Sequence, residues 1–275
     1  MTAPRLIPAA LLATALALAA PARAEDVAAL LARAPAIALD GPVSPLTAPV
    51  EVATAGWGPF RRLCVAEVML RHPDGAEFAA TPPYCFTVED ARPDAGLWHV
   101  TLRTAPSWRG GDITLTIARD AMGRFGEIAI AMPEDEPPVP VTQFAVLHAL
   151  MLARLRAQGL ERTTIEPRAP FVVPLPFGAV EPGMHVDGDG FACDAEGEAR
   201  LRGRRVILAA CEARAEGSAA RDQALRLTLA GRFAIDVETG MVLQHGYASS
   251  LVMQADPRGD VAPREMRGAS RQSLE

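Results

Sequence analysis

The chain has 275 residues and a formal charge of −6; its 27 lysine-plus-arginine positions are all arginine, and it contains no lysine or asparagine. Reactions that need a lysine Schiff base, a lysine general base or an asparagine-oriented histidine are excluded. An acidic chain without a basic domain offers no electrostatic footprint for nucleic acid, so no nucleic-acid partner is expected.

Residues 1–24 have the pattern of a secretory signal peptide. Arg5 supplies the positive start, Leu6 to Ala20 an uncharged Ala/Leu-rich run, and Ala22-Arg23-Ala24 a small-x-small cleavage site near Ala24. The apolar run is about 15 residues, short of the ~20 needed to cross a bilayer. No later run is longer, so no transmembrane segment is expected in the mature chain. Cleavage removes Arg5 and Arg23, leaving a more acidic protein in a periplasm or outside the cell, where cysteines are free to oxidise.

Residues 25–132 read as a first β-rich half with a short N-terminal helix. Glu25 to Ala34 has helix-forming composition and is stopped by Pro35, after which Pro42, Pro45 and Pro49 keep the chain extended. Cys64, Ala66, Val68 and Leu70 alternate on one side of a strand, which predicts that Cys64 points into the core. Pro73-Asp74-Gly75 is a turn signal, and a second strand runs through Phe78 to Cys85. Trp98, Val100 and Leu102 mark a further strand. Ile113, Leu115 and Ile117 alternate with threonines, Asp120 to Gly123 turns the chain, and Ile128 and Ile130 return.

Residues 133–170 read as a Pro-rich linker and a buried connecting helix. Glu134 to Pro140 is an acidic break, and Val141 to Gly159 follows, with Phe144, Leu147, Met151 and Leu155 at helical spacing and Gly159 as C-cap. Residues 171–255 restore β texture in a second half. Val206, Leu208 and Ala210 lead to Cys211, and Leu225, Leu227 and Leu229 alternate. Phe233, Ile235 and Val237 follow, Glu238-Thr239-Gly240 turns, and Met241 and Leu243 return. Residues 256–275 are polar and without period, which predicts a disordered tail.

The halves share an order: a cysteine strand, a turn, a second cysteine, an alternating strand, an Asp-containing turn and a return strand. The expected fold class is therefore mainly β (α+β), with duplicated curved antiparallel sheets or half-barrels around one connecting helix. The four cysteines Cys64, Cys85, Cys193 and Cys211 allow three disulfide connectivities. Duplication favours Cys64–Cys85 and Cys193–Cys211. Cys-x-x-Cys is absent, which argues against zinc or redox chemistry and for structural staples.

Candidate sites are few. Asp187, Asp189 and Glu198 fall at positions 1, 3 and 12 of a calcium-loop spacing, but Phe191 and Ala192 stand where a ligand and a glycine belong. An Asp/Gly turn explains the same residues. Arg200, Arg202, Arg204 and Arg205 surround Gly203 and are a candidate anion contact, with a solvated hairpin tip as the plain alternative. His72, His99, His148, His185 and His245 show no metal-pair spacing, and no Gly-x-Ser-x-Gly elbow or phosphate loop is present. Trp57, Trp98 and Trp108 are candidates for sugar stacking or for plain packing. No catalytic residue and no cofactor is expected.

The alternating strands Ile113 to Ile117 and Leu225 to Leu229, their Asp-containing turns and the helix from Val141 to Gly159 give the chain a layout that resembles exported bacterial envelope proteins such as the periplasmic lipoprotein carriers. That resemblance is one of texture and carries over no functional residue. It implies curved antiparallel sheets around a helix. The leading expectation is a non-enzymatic periplasmic protein that binds a lipid or other apolar or amphipathic ligand. The alternatives are a structural or interaction module with an envelope protein as partner, and a metal-dependent hydrolase using His185, Asp187 and Asp189.

Overall fold

The computed structural model describes residues 26–53, 59–71, 77–94, 97–104, 114–120, 125–131, 164–173, 185–187, 190–219, 223–254 and 264–275. The predicted signal peptide, the helix from Val141 to Gly159, Asp189, His72, His148, Trp57 and Trp108 lie outside them. No helix among the described residues is long and apolar enough to cross a membrane.

Helix α1 spans Val27–Arg33 in an Ala/Leu-rich stretch whose only β-branched residue is Val27. Ala34 precedes Pro35, a position that disfavours helical backbone, and it adopts φ −61° and ψ 135°. Leu30 is fully buried and packs on Ala230 and Ala248, whose small side chains let the helix approach the sheet. The chain then crosses Gly246 so closely that a Cβ there would overlap the Pro35 carbonyl.

The strands are β1 (Val50–Glu51), β2 (Arg62–Arg71), β3 (Glu77–Asp94), β4 (Leu97–Thr104), β5 (Thr114–Asp120), β6 (Phe125–Ala131), β7 (Thr164–Ile165), β8 (Phe171–Val173), β9 (His185–Asp187), β10 (Phe191–Leu201), β11 (Arg204–Ala219), β12 (Gln223–Asp236), β13 (Val242–Met253) and β14 (Arg264–Leu274). β1 and β7 pair with each other. The rest form one antiparallel sheet in the order β6-β5-β4-β3-β2-β14-β13-β12-β11-β10-β8, with β9 continuing the β10 side of β11. The chain is thus mainly β. Among the described residues the sheet is open, ending at β6 and β8.

Two meanders, β2 to β6 and β10 to β14, make up all of this sheet except β8 and β9, and the β14–β2 ladder joins them. The turns follow from local chemistry. Leu201 pairs with Arg204, so Arg202 and Gly203 form a two-residue turn, and their φ values of 51° and 75° are those a primed hairpin turn requires. The predicted turn at Glu238-Thr239-Gly240 is present between β12 and β13, closed by the Gly240 N–H donating to the Asp236 carbonyl at 2.8 Å.

Register assigns side chains to two faces, because cross-strand partners point the same way. On the core face, Phe191, Cys193, Cys211, Phe233 and Ile235 form one cluster with their sheet neighbours Phe171 and Val173 and with Val50, Val52 and Ile165 of the β1–β7 pair and the residues beside it. The other face carries Ala230, Ala248 and α1. In β12, Leu225 and Leu229 are buried and Leu227 half-buried, in keeping with their alternation.

Both disulfides are formed, Cys64–Cys85 and Cys193–Cys211, and each joins directly opposed residues on neighbouring strands. Each staples the first strand of a meander to the second. Their Cα separations of 4.0 and 4.1 Å match the close, non-hydrogen-bonded pairs of an antiparallel ladder. Their faces differ. Cys64 is in register with Ser273, Gln244, Ala234 and Leu208, which is the helix face, whereas Cys211 lies three residues beyond Leu208 on the core face.

Two expectations are corrected. Cys64 does not point into the main core: it is half-buried, whereas the neighbouring Leu63, on the opposite face of the strand, is buried. The tail of residues 256–275 is not disordered throughout, since Arg264–Leu274 form β14, a central strand. Burial alternates there at Ser270, Gln272 and Leu274, but hydrophobicity does not, so the strand had no apolar period to read.

Candidate ligand-binding face

The four arginines of the candidate anion contact do gather at one end of the sheet, but protein groups already engage them. Arg204 donates to both carboxylate oxygens of fully buried Asp236, at 3.0 and 2.8 Å, and to Glu238 at 2.7 Å. Arg205 grips Glu198 with two bonds of 2.7 and 2.6 Å. Arg202 donates to the Leu274 carbonyl and pairs with Glu275, and Arg200 donates to the Gly203 carbonyl. The hydrogen bond from Arg205 holds the Glu198 carboxyl below its ordinary range. Their geometry is that of a hairpin tip braced by internal carboxylates.

Of the calcium-loop residues, the two described, Asp187 and Glu198, do not converge. Asp187 pairs with Glu216 and Glu198 with Ile207, nine positions apart on β11. That is roughly 30 Å of strand, far beyond the reach of one ion. Among the described residues no group of three His, Cys, Asp or Glu side chains is placed to hold a metal.

A groove of about 540 Å³ runs between the segment Asp40–Val50 and the β10–β11 tip, over Glu198, Arg200 and Arg205. Ser44 bonds across to Glu198 through both backbone groups, at 2.8 and 2.7 Å, so this segment also shields the outer edge of β10.

The most unusual chemistry lies elsewhere, where β14 crosses the centre of the sheet. Gln272 is directly opposite His245 on β13, and Ser270 is opposite Tyr247. Gln272 is 0% exposed, His245 1% and Ser270 3%. Both amide atoms of Gln272 and the hydroxyl of Ser270 lack a hydrogen-bond partner among the described residues. Each such buried group costs on the order of 1–3 kcal/mol. The two residues adjoin an aromatic row on the core face. Phe191 meets Phe233 edge-on at 4.8 Å, Phe233 stacks on His245 at 5.1 Å, and His245 lies 5.4 Å from Tyr247.

Along the same face the apolar surface continues past the sealed core. Ala215 and Leu225 form a second cluster with Leu227, Leu251 and Met253, the last three only half-buried. Leu251 is four residues, about 13 Å of strand, from Tyr247. The face therefore offers an apolar patch at one end and polar groups in want of partners at the other.

Sequence reasoning passed over Ser270 and Gln272 because a polar strand has no apolar signature. A central strand whose buried side chains are polar is a conflict between local composition and tertiary position, the kind that marks functional sites. No protein-family model matches the chain, and no curated protein matches it. The functional reading therefore rests on this geometry.

Proposed function

We propose that this is an exported, non-enzymatic protein that binds an amphipathic ligand on the core face of its sheet. The observation that carries the reading is the juxtaposition on one face of half-buried Leu227, Leu251 and Met253 with the buried, unpartnered polar groups of Gln272 and Ser270. An amphiphile satisfies both ends: its apolar body covers the leucine and methionine side chains, and its polar end pairs the orphaned donors and acceptors. Export through the segment ending near Ala24 belongs to the same proposal. Two disulfides are compatible with it, because such bonds persist in oxidising compartments.

The proposal includes descent of the two meanders from one duplicated unit. Supporting this are their shared strand order and the staple between first and second strand in each. The opposite faces of the two staples weigh against equivalence of the cysteines themselves. Lipid release is the decisive assay. The full chain, expressed for export and purified without detergent, is incubated with an envelope lipid extract, and bound molecules are identified by mass spectrometry. Recovery of a stoichiometric amphiphile supports the reading; repeated recovery of none rejects it. Cell fractionation tests export separately.

A further inference from the structure

We infer that the Ser270–Gln272 pair on β14 is the recognition site for the uncharged, hydrogen-bonding head of that amphiphile, such as a hydroxyl with a neighbouring ester or amide carbonyl. The inference rests on the amphiphile reading above and adds the chemistry of the head. Gln272 presents two N–H donors and a carbonyl acceptor, and Ser270 a hydroxyl that both donates and accepts. The two side chains share one face, two residues apart, so a single small head group spans them.

Charge argues for a neutral head. Among the rows that cross the pair, the register sets Val65, His245 and Phe233 beside Gln272, and Glu67, Tyr247 and Gly231 beside Ser270. None of these is an arginine. Carrying an anion into a site so fully buried, with no arginine among those residues, costs far more than carrying in a neutral diol or amide. The position of the pair also fits: apolar surface at Leu227 and Leu251 lies further along the same face, where the body of the ligand would run.

The test compares 1-monodecanoylglycerol with decanoate, both below their aggregation concentrations, on the full exported chain and on Q272L and S270A. Unpaired polar atoms make no favourable contact to lose, so empty Q272L should melt at or above the wild-type temperature. Monodecanoylglycerol should stabilise the wild-type protein and bind Q272L and S270A at least tenfold more weakly. Decanoate should bind the wild-type protein more weakly than the glyceride and be indifferent to either substitution. Equal glyceride binding by wild type and both variants overturns the head-group site and leaves the amphiphile reading standing. Binding of neither probe by any form removes both. A Q272L protein that melts below wild type, or fails to fold, shows the amide to be a structural partner and also overturns the inference.

Discussion

Cys193 lies directly across the β10–β11 ladder from Cys211, and their disulfide is sealed in the core face at 0% and 2% exposure. The Cys64–Cys85 bond has the same cross-strand geometry but is half-buried, and Arg62 donates to the Cys85 sulfur at 3.2 Å. A guanidinium beside a sulfur favours its departure as a thiolate, and exposure admits the attacking thiol. Limited dithiothreitol followed by alkylation and peptide mapping should label Cys64 and Cys85 first. Earlier labelling of Cys193 or Cys211 would contradict this ordering.

The sealed staple also carries stability. By the chain-entropy argument, a loop of this size contributes about 3 kcal/mol. The double substitution C193A/C211A should lower the urea midpoint accordingly, and more than the R62A substitution, which removes an exposed contact. A midpoint unchanged by the double substitution would show that the hairpin is held without its disulfide.

Asp236 organises the β12–β13 turn. Its buried carboxylate accepts from Arg204 and from the Thr239 hydroxyl at 2.6 Å, and its backbone N–H donates to the Met241 carbonyl at 2.8 Å. Replacing Asp236 with Ala leaves Arg204 and Thr239 without that acceptor. Loss of a buried charged partner typically costs about 3 kcal/mol or more. Urea denaturation should show R204A losing at least as much as D236A, because it strands the fully buried Asp236 carboxylate, whereas D236A strands a guanidinium that is partly exposed and keeps Glu238. Equal stability of D236A and the wild type would refute the role.

The Glu198–Arg205 pair has a pH signature. Glu198 is depressed, chiefly by its hydrogen bond from Arg205, so its contribution is present above the unfolded carboxyl range and is lost as pH falls through the lower folded value. The glutamate side chain is a third exposed and the arginine half exposed, so solvent screening limits the effect to about 1 kcal/mol at most. Melting curves of E198Q should lie slightly below the wild type near neutral pH and merge with it in acid. A gap that widens as pH falls would reverse the assignment.

Gly246 is where the segment after α1 meets β13. Adding a methyl group there collides with the Pro35 carbonyl, a backbone atom that has little room to yield. Such overpacking costs about 1–3 kcal/mol. G246A should melt lower and expose α1 to proteolysis. Unchanged protection of the helix would show that the crossing adjusts freely.

Much of the strand layout was legible in the chain. Pro35 ended α1, the Glu238-Thr239-Gly240 signal marked a real turn, and the alternation at Leu225 to Leu229 identified the inward side of β12. Cys64 was misread because alternation reports only that two faces differ, not which one a partner element covers. The candidate arginines are neighbours in the chain, but the carboxylate partners of Arg204, Asp236 and Glu238, lie more than thirty positions away.

By itself, the sequence determined what depends on neighbours within a few residues: the helix stop, the turns, the strand alternation and the supply of cysteines in two local pairs. Tertiary structure alone decided that β14 enters the centre of the sheet, that it joins the halves through β2, and that Ser270 and Gln272 are buried there. The reason is physical. Local backbone preferences act over a turn or two, whereas the β14–β2 ladder joins residues about two hundred positions apart, and its register is set by which distant surfaces pack best.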